Sequence, residues 1–331
     1  MNILITGAGG GSGIYSIKVL KETTDHYVIG ADASPYSAGL FLADEGYVFP
    51  VARQQQAFLD RVHETVIAKD IDVIIPNVDE ELPLFARPDV QSTLGAKVIV
   101  SPLETILICA SKQETIRRLE SVVPCPRTLS GGDDLSGIAF PVHIKPDNGR
   151  GSRHTYIVED AIALEECFRQ LEKHLGDRRN ILIQEYLPGT EYTVDVLCDL
   201  SGTPLVVVPR VRLKTSAGLS IQGRTIRHTG LIENVYAIAK SLAFHGPVNM
   251  QFREDVSGVP RLLEINPRFS GGLPIVCAAG ANTPALLLEL LQNRPIEWPV
   301  VQQSWREGIV LRYLEEFFIP WDEWQDQFTD S

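Results

Sequence analysis

The first hundred residues alternate short apolar runs with segments of helical periodicity, and few architectures accommodate that pattern. Strands that alternate with crossover helices are typical of a parallel α/β sheet. We therefore predict a Rossmann-like N-terminal domain. Its predicted strands are Asn2–Thr6, Tyr27–Ala31, Val73–Pro76 and Lys97–Val100, and its predicted helices begin after Ser12, cover Gln54–Lys69 and surround Glu80–Ala86.

Length and charge limit the classes of function. The 331 residues suffice for two or three domains with cores of their own. A formal net charge of −12 argues against nucleic acid and anionic membranes as partners. No apolar run approaches the roughly 18 residues of a membrane span, and the N-terminus does not resemble a signal peptide. The five cysteines are far apart and never spaced as Cys-x-x-Cys, so neither a disulfide framework nor a zinc site is expected, and we predict a cytoplasmic protein.

Two consecutive capping-box patterns follow the N-terminal unit. Ser101 with Glu104 and Ser111 with Glu114 each match the pattern, and Pro102 is predicted at the first helical position. We place a domain boundary near Pro102. A smaller unit is predicted after it, and its strands are Phe140–Lys145, Tyr156–Val158 and Ile181–Tyr186, with a helix that begins at Asp160.

Strand patterns dominate after Glu191. One helix is predicted at Ile232–Phe244, ending in Gly246, and one late strand at Ile309–Tyr313 precedes a polar tail.

The most informative polar pattern lies in the run from Leu262 to Arg268. Leu262–Ile265 is typical of a short buried strand, and Pro267 should end it because proline cannot donate to a sheet ladder. Residues two apart on a strand share a face, about 6.6 Å from one to the next. Glu264, Asn266 and Arg268 should therefore project together. Leu263 and Ile265 are predicted to point into a core.

A second strand lies just upstream. In Val248–Phe252 apolar residues alternate with Asn249 and Gln251, and a short link with Gly258 and Pro260 is typical of a hairpin. Gln251 would then lie beside Glu264 on one face. Carboxylate and amide oxygens suit Mg²⁺, and an adjacent arginine suits a phosphate oxygen. The pattern predicts a metal–phosphate site, with the solvated face of an edge strand as the alternative.

The glycine loop from Gly7 to Gly13 follows a strand and opens a helix, with Asp32 at the end of the next strand. This nearly matches the dinucleotide-binding fingerprint, but Ser12 stands where the third glycine belongs. Free amides at a helix N-terminus bind any anion. A substrate carboxylate or phosphate, a dinucleotide and a purely structural turn are the three alternatives for this loop.

Two further segments suit a nucleotide. Lys145 ends a predicted strand beside a glycine-bearing loop with Arg150 and Arg153, which is a suitable arrangement for a triphosphate. The alternative is a plain hairpin loop. Downstream, a strand stops at Pro188-Gly189, with acidic residues on both sides of this turn. Its backbone groups could bind the edge of an adenine, and one of the carboxylates could bind the ribose hydroxyls.

The order of these elements resembles the ATP-grasp superfamily, and in particular its carbamoyl phosphate synthetase large-subunit-like branch and amino-acid-ligase relatives. The resemblance covers roughly residues 1 to 300, and the Glu-x-Asn-x-Arg run of residues 264–268 is its most specific part. The segment Asn77–Leu82 resembles the family's pre-ATP-grasp domain. The resemblance implies an α/β and α+β fold with a Rossmann-like domain in residues 1–102 and a two-lobed ATP-grasp domain in residues 103–300. The lid lobe would cover about 124–187, the larger lobe about 190–300, and a C-terminal strand and tail 301–331.

The resemblance also implies roles for single residues. The phosphates of ATP would be bound by Lys112, Lys145, Gly151 and Ser152. The adenine would be bound by Glu185, Tyr186 and Leu187, and the ribose by Glu191. Mg²⁺, or Mn²⁺ as a substitute, would be held by Gln251, Glu264 and Asn266. Arg268 would contact the γ-phosphate or an acyl phosphate formed from it. A homodimer is a further implication of the resemblance.

A basic segment stands out in this acidic chain. From Leu200 to Ile232 there is no Asp or Glu, whereas the segment carries several cations. Like charges cluster at a cost unless an anion neutralises them. Arg210 and Arg224 are therefore predicted to hold a carboxylate substrate and to counter the charge of an acyl phosphate. The alternative is an ordinary solvated strand pair or an oligomer contact.

These expectations combine into one prediction, an ATP-dependent carboxylate–amine ligase of the ADP-forming, C–N bond-forming kind. Its substrates would be a small carboxylate and an amine. Two alternatives remain open on the sequence: an NAD(P)-dependent oxidoreductase that relies on the Gly7–Gly13 loop, and a non-catalytic ATP-binding switch module.

Overall fold

The computed structural model describes residues 1–149 and 154–329, and within these ranges the chain forms three β-sheets. The first is a five-stranded parallel sheet in the order β3-β2-β1-β4-β5, which confirms the predicted Rossmann-like domain. Its strands are β1 (Asn2–Thr6), β2 (Tyr27–Asp32), β3 (Glu45–Val48), β4 (Val73–Ile75) and β5 (Lys97–Val98), and its helices are α1 (Gly11–Thr23), α2 (Gly39–Leu42), α3 (Gln55–Lys69), α4 (Leu82–Phe85) and α5 (Pro88–Leu94).

Sequence patterning missed one strand of this sheet. β3 pairs with β2 in parallel, yet its four residues Glu45–Val48 contain no apolar run that would mark a strand. Two helices then lead out of the domain, and they are α6 (Leu103–Ala110) and α7 (Lys112–Leu119).

The two predicted capping boxes have different outcomes. Ser111 is the N-cap of α7, and its hydroxyl accepts a hydrogen bond from the backbone N–H of Glu114 at 3.1 Å. The prediction at Ser101 is wrong. Pro102 occupies the N-cap of α6, and the Ser101 hydroxyl instead accepts from the backbone N–H of His245 at 3.1 Å. A contact 144 residues away thus uses the hydroxyl that the local pattern assigned to the cap.

The second sheet is antiparallel, in the order β6-β9-β7-β8, and helix α8 covers it. The predicted hairpin between β7 and β8 is present, and Asp160 caps α8, which ends at Gly176 in the left-handed conformation. Phe168 and Leu171 of the helix pack on Ile144 of the sheet. The elements of this unit are β6 (Thr128–Ser130), β7 (Val142–Pro146), β8 (Tyr156–Val158), α8 (Ala161–Leu175) and β9 (Ile181–Glu185).

The third sheet has six strands in the order β14-β13-β10-β11-β12-β15, all paired antiparallel. The predicted helix at Ile232–Phe244 begins and ends earlier, and Gly246 opens β13 rather than closing the helix. The elements are β10 (Glu191–Cys198), β11 (Pro204–Ser216), β12 (Leu219–Thr225), α9 (Thr229–Ser241), β13 (Gly246–Glu254), β14 (Pro260–Asn266), α10 (Leu273–Ala278), α11 (Thr283–Leu291), α12 (Trp298–Ser304), β15 (Gly308–Leu311) and α13 (Trp321–Thr329).

Strand alternation gives the six-stranded sheet an apolar face and a mixed face, which carries Val206 and Val208 as well as the polar side chains described below. Val194, Val211 and Met250 belong to a core with α9 on the apolar face. The prediction that Leu263 points into a core is wrong. A register shift between Gln251 and the next residue of β13 sends Leu263 to the other face, where it lines a cavity.

The N-terminal domain and the six-stranded sheet share a core. Ile3 and Val206 belong to one apolar cluster, to which α11 contributes Leu287. The site described below therefore lies on a firmly packed junction. Among the described residues, no helix is both long enough and apolar enough to cross a lipid bilayer.

The C-terminal segment, expected to be a polar tail, forms α13 and docks on the N-terminal domain. The indole N–H of Trp324 donates to the carbonyl of Pro35 at 3.1 Å, and its ring stacks on Tyr36 with centroids 5.2 Å apart. Aromatic stacking thus fixes a segment whose acidic composition suggested solvent exposure.

Candidate functional site

Four polar side chains lie together on the strand pair β13–β14. Gln251 is paired directly with Glu264, and Asn249 with Asn266. Directly opposed residues of an antiparallel pair project from the same face. All four line one cavity of about 360 Å³. The structure therefore brings together the three predicted metal ligands.

Asn249 is a site residue that the sequence predictions did not include. It is buried, and its side-chain N–H₂ donates to the carbonyls of Asn266 and Arg268, both at 3.3 Å. Asn266 in turn donates to a carboxylate oxygen of Glu264 at 3.2 Å. The alternation in Val248–Phe252 was a sufficient signal, because Asn249 and Gln251 occupy the same face.

Lys112 begins α7 and reaches the same cavity. Its ammonium lies 3.7 Å from Glu264 and donates to the carbonyls of Asp147 at 2.9 Å and Gly149 at 2.7 Å. Those two carbonyls belong to the loop that follows β7. Lys112 therefore links the beginning of that loop to the strand pair, and its positive charge lies at the end of the cavity lined by the predicted metal ligands Gln251 and Glu264, which we call the metal end.

Lys145 lies near the end of β7 and is buried. Burial lowers the pKa of its ammonium to about 8; the carboxylate of Glu264 opposes that shift, and the charge of Lys112 adds to it. The group lines a second cavity of about 160 Å³. Residues that line both cavities are Lys112, Gly149, Arg212, Gly218, Gln251 and Glu264, so the two spaces adjoin at the metal end.

Arg268 joins the N-terminal domain to the site. Its Nε and Nη2 donate to the two carboxylate oxygens of Asp79 at 2.7 and 2.6 Å, and Nη1 donates to the carbonyl of Phe269 at 3.0 Å. A bidentate arginine–carboxylate pair is both strong and directional. Arg268 and Asp79 both line the larger cavity. The orientation of the guanidinium is therefore set by a residue 189 positions away.

Arg210 is buried in a satisfied polar network beneath the same cavity. Its Nε donates to Asp195 at 2.7 Å, Nη1 to the hydroxyl of Ser220 at 2.9 Å and Nη2 to that of Ser270 at 3.3 Å. A Cβ at Gly272 would lie 2.3 Å from Nη2, so the glycine makes room for the guanidinium. Arg210 thus lines the cavity, with its guanidinium paired to Asp195.

Arg224 is not brought to the site. It is paired with Val211, which faces the apolar core on the side opposite to Arg210. Alternation along two paired strands decides this, since Arg210 is paired with Thr225. Arg227 of the same basic segment stacks on Trp305 at 3.4 Å and donates to backbone carbonyls, which is a structural role. Only part of the basic segment therefore serves the cavity.

Arg212 connects two groups of predicted site residues. Its Nη1 lies 2.7 Å from Glu191 and donates to the side-chain oxygen of Gln251 at 2.9 Å, and its Nη2 donates to the carbonyl of Gly218 at 2.8 Å. Burial lowers the pKa of this guanidinium, and the charge of Glu191 opposes the shift. The predicted ribose ligand and a predicted metal ligand therefore share one cation.

The predicted adenine ligands lie at the end of β9. The Glu185 carboxylate accepts from the backbone N–H of Arg127 at 3.2 Å, Leu187 is buried and Tyr186 is half-buried. These three do not belong to the lining of the two cavities described above, whereas Glu191 does. Gly151 and Ser152, the predicted phosphate-loop ligands, lie outside the described residues.

The glycine loop uses its own polar groups. Asp32 accepts from the backbone N–H of Gly9 at 2.7 Å and from that of Ser34 at 3.0 Å, one bond for each carboxylate oxygen. A Cβ at Gly9 would lie 2.3 Å from the Ser37 hydroxyl. Dinucleotide binding requires an acidic residue that can reach the ribose. Here that carboxylate holds the loop, which favours the structural interpretation over the oxidoreductase alternative.

A buried acid of the N-terminal domain was also missed. Glu81 accepts a short hydrogen bond from the hydroxyl of Thr6, and burial raises the pKa of its carboxyl to about 8. The charges of Asp32, Glu80 and Asp79 add to that shift. The acidic composition of residues 79–81 did not indicate that one of the three would be buried.

Comparison with known proteins agrees with this geometry. Residues 177–317 match the family model described as "ATP-grasp in the biosynthetic pathway with Ter operon", and residues 3–99 match that of the "PylC-like, N-terminal domain". The first match covers the six-stranded sheet and the metal end of the cavity. The second covers the parallel sheet and Asp79.

Solved structures share the fold. The biotin carboxylase domain dimer of the Hydrogenobacter thermophilus 2-oxoglutarate carboxylase, in complex with MgADP, ADP and bicarbonate, aligns with a TM-score of 0.73 at 16% identity over 93% of this chain and 73% of that one. The L-amino acid ligase from Bacillus licheniformis aligns with a TM-score of 0.70 at 20% identity, over 92% of this chain and 77% of that one. The N5-carboxyaminoimidazole synthetase from Staphylococcus aureus aligns with a TM-score of 0.68 at 15% identity, over 89% of this chain and 78% of that one. At such identities the likeness establishes the fold, which is the one that the sequence predicted.

Proposed function

We propose that this chain, which belongs to the ATP-grasp superfamily and carries a PylC-like N-terminal domain, is an ADP-forming carboxylate–amine ligase. A carboxylate oxygen of the substrate attacks the γ-phosphorus of ATP, and the bond to the β,γ-bridging oxygen breaks, which releases ADP. The amine then attacks the acyl carbon and displaces phosphate, while its proton passes to solvent or to the departing phosphate. Positioning and charge supply most of the catalysis in such a transfer.

One observation carries this proposal. The cavity of about 360 Å³ brings a carboxylate and three amides from two paired strands together with Lys112, Arg210 and Arg268. These cations come from a helix, an interior strand and the end of an edge strand. Hard oxygen ligands next to converging cations suit a metal-bound phosphate more than any other common ligand.

The residues present fit Mg²⁺. Glu264 supplies a carboxylate, and Asn266 and Gln251 supply amide oxygens, which together with phosphate oxygens are the ligands that Mg²⁺ prefers. When bound, the ion would neutralise charge on the phosphates during transfer. Mn²⁺ has similar preferences and is proposed as a substitute.

The side chains around this end have separate tasks. Lys112 and Lys145 bind the phosphates, and Arg268 steadies the transferred group. Arg210 holds the negative charge of the carboxylate substrate or of the acyl phosphate. Bound carboxylate and phosphate are thereby oriented for in-line attack.

The nucleotide base lies beyond Glu191 in this proposal. Glu191 binds the ribose, and Glu185, Tyr186 and the backbone of Leu187 meet the adenine, as the family resemblance implies. Gly151 and Ser152 are proposed to contact the phosphates. We also retain the division into residues 1–102, 103–300 and 301–331, although β15 adds its strand to the sheet of the larger lobe.

Small molecules are the proposed partners, and a cytoplasmic homodimer is the proposed state. The carboxylase domain from Hydrogenobacter thermophilus was solved as a dimer, which supports the proposed homodimer.

The first experiment measures ADP and phosphate release from Mg-ATP in the presence of paired amino acids, dipeptides and small carboxylates, with and without bicarbonate. Release that requires a carboxylate together with an amine, and that is lost in Glu264→Ala, is the expected result. Release with bicarbonate alone would point to carboxylation chemistry. Tight ATP binding without release under any pair would favour the switch module, and the absence of ATP binding would refute the proposal.

A further inference from the structure

The metal end of the cavity contains few negative charges. Of the four polar side chains on the strand pair, Glu264 alone is a carboxylate, and the residue paired with it is the neutral Gln251. In residues 1–149 and 154–329 no group of three or more His, Cys, Asp or Glu side chains is arranged to hold a metal ion. A divalent cation here therefore depends on one carboxylate, amide oxygens and the phosphates of the nucleotide.

A guanidinium occupies the space next to Gln251. Nη1 of Arg212 contacts the oxygens of Gln251 and Glu191, at 2.9 and 2.7 Å. The Arg212 side chain is only 7% exposed and lines both cavities. A fixed cation therefore lies against the amide oxygen that would complete a second metal site. An arginine cannot lose its charge in this setting, so the repulsion of a nearby metal ion persists at every working pH.

The charges of the adjoining cavity support a single ion. Among residues 1–149 and 154–329, its lining includes four cationic side chains and two carboxylates, which gives these described groups a formal charge of +2; they are Lys112, Lys145, Arg212, Arg253, Glu191 and Glu264. His143 also lines the cavity, and its pKa is lowered to about 4 by burial and by the charges of Lys145 and Arg253, so it is neutral at pH 7. ATP with one Mg²⁺ carries −2 and balances the cavity. A second Mg²⁺ would leave the cationic lining uncompensated.

We propose that Arg212 takes the place of a second divalent cation. The site then binds one metal ion per chain, and the ligand set proposed above is refined: Glu264 and Asn266 hold the ion, whereas the Gln251 oxygen accepts from the guanidinium, which supplies the second positive charge to the phosphates. Glu191 and Gln251 hold that guanidinium in position. This inference deepens the proposed ligase function and rests on it, because it concerns the same nucleotide site.

The test counts metal ions without turnover. Mn²⁺ is titrated into the full chain with a saturating non-hydrolysable ATP analogue, and electron paramagnetic resonance measures free Mn²⁺. We expect one Mn²⁺ per chain, with any second ion bound at least about a hundredfold more weakly. Lys214→Met, an exposed cation on the same strand β11, should leave the count and the affinity unchanged.

Two variants sharpen the test. Gln251→Glu adds a carboxylate while Arg212 keeps its partners, and it should bind Mn²⁺ about tenfold more tightly. The double variant Arg212→Met/Gln251→Glu removes the guanidinium as well and should bind two Mn²⁺ per chain. If the double variant does not fold, the single variant decides, because an unchanged Mn²⁺ affinity in Gln251→Glu would overturn the inference.

The outcomes separate this inference from the ligase proposal. Two Mn²⁺ ions bound with similar affinity by the unaltered chain would overturn the single-ion site and leave the ligase proposal intact. Failure of the ATP analogue to bind would overturn both. One ion in the unaltered chain and two in the double variant would establish Arg212 as the substitute for the second ion.

Discussion

Two segments of this chain carry polar groups next to a strand end, and the structure uses them in opposite ways. At the glycine loop, one carboxylate oxygen of Asp32 accepts from the backbone N–H of Gly9 in the loop, and the other accepts from that of Ser34, just after β2. In the strand pair, Gln251 and Glu264 face a cavity that they share with cations from two other elements, α7 and β11, and with Arg268, which follows β14. Each segment resembles a ligand site in sequence, but only the second presents several polar side chains to a cavity.

Geometry explains the difference. Strands β1 and β2 are adjacent in the parallel sheet, so the turn after β1 brings the Gly9 amide within reach of the Asp32 carboxylate at the end of β2, and the carboxylate is satisfied by backbone N–H groups. A strand pair exposes every second side chain to whatever lies above the sheet. At β13–β14 that face meets the N-terminal domain through Asp79 and the loop after β7 through Lys112. A polar face can serve as a site when other elements enclose a cavity above it.

The largest expected effect comes from the strand pair. Glu264→Gln keeps the shape of the side chain and removes the single carboxylate of the proposed metal site. We expect the rate of ADP release to fall by at least about 10³-fold, because charge on the transferred phosphate is no longer neutralised. A coupled assay for ADP measures this. Glu233→Gln, an exposed carboxylate on α9, is the control. A variant that keeps more than about a tenth of the rate would contradict the assigned role.

The next effect concerns the link between the two regions. Asp79→Asn weakens the bidentate contact that orients Arg268. We expect kcat to fall by about 10²-fold while KM for ATP changes less than about threefold, because a misplaced guanidinium impairs transfer rather than binding. Asp79→Glu should recover part of the rate. Asp89→Asn, at a surface ion pair, serves as control. An equal loss in ATP affinity would show that the contact merely supports the fold.

A smaller effect is expected from pH. The pKa of Lys145 is lowered to about 8 by burial, and only its charged form attracts phosphate. ATP affinity should therefore be constant below this pKa and should decrease as the pH rises through it, by at most about tenfold per pH unit. Calorimetric titrations between pH 7 and 9.5 test this. Lys145→Arg retains its charge and should flatten the profile; a profile that stays steep in this variant would assign the titration to another group.

The smallest effect on activity is expected in the glycine loop. Asp32→Asn weakens two backbone hydrogen bonds and should lower the free energy of unfolding by about 1–2 kcal/mol. ADP release should stay within about twofold of the unaltered chain. Urea unfolding followed by tryptophan fluorescence measures the first quantity. A tenfold loss of kcat/KM, or saturable NADH binding by the unaltered chain, would mean that the loop is a ligand site after all.

Local patterns predicted much of the fold. Strand β1 and the hairpin β7–β8 were predicted from short-range periodicity, and Asp160 and Ser111 were read correctly as helix caps. These features depend on residues within a few positions of each other. The errors lie where distant contacts intervene: the Ser101 hydroxyl bonds His245 instead of capping a helix, and β3 is recognised only by its pairing with β2.

In the site, too, features set by neighbouring residues were predicted, and features set by strand pairing were not. Gln251, Glu264 and Asn266 were placed together from alternation and a hairpin link, and Asn249 could have been included by the same argument. The face on which Leu263 lies could not be predicted, because one shift of register moves a side chain to the other side of a sheet. Which cation of the basic segment reaches the cavity depends in the same way on pairing, as Arg210 and Arg224 show.

Local patterns are sufficient to show which residues alternate, where strands turn and which polar groups share a face, since backbone geometry imposes those periods on any chain. The packing of distant elements sets the rest: Asp79 orients Arg268, Arg212 lies between Glu191 and Gln251, and the Asp32 carboxylate accepts from Gly9 in the neighbouring turn. Partners distant in sequence meet because separate elements pack into one core. Each polar group then bonds the nearest unsatisfied group, and no local pattern specifies that neighbour.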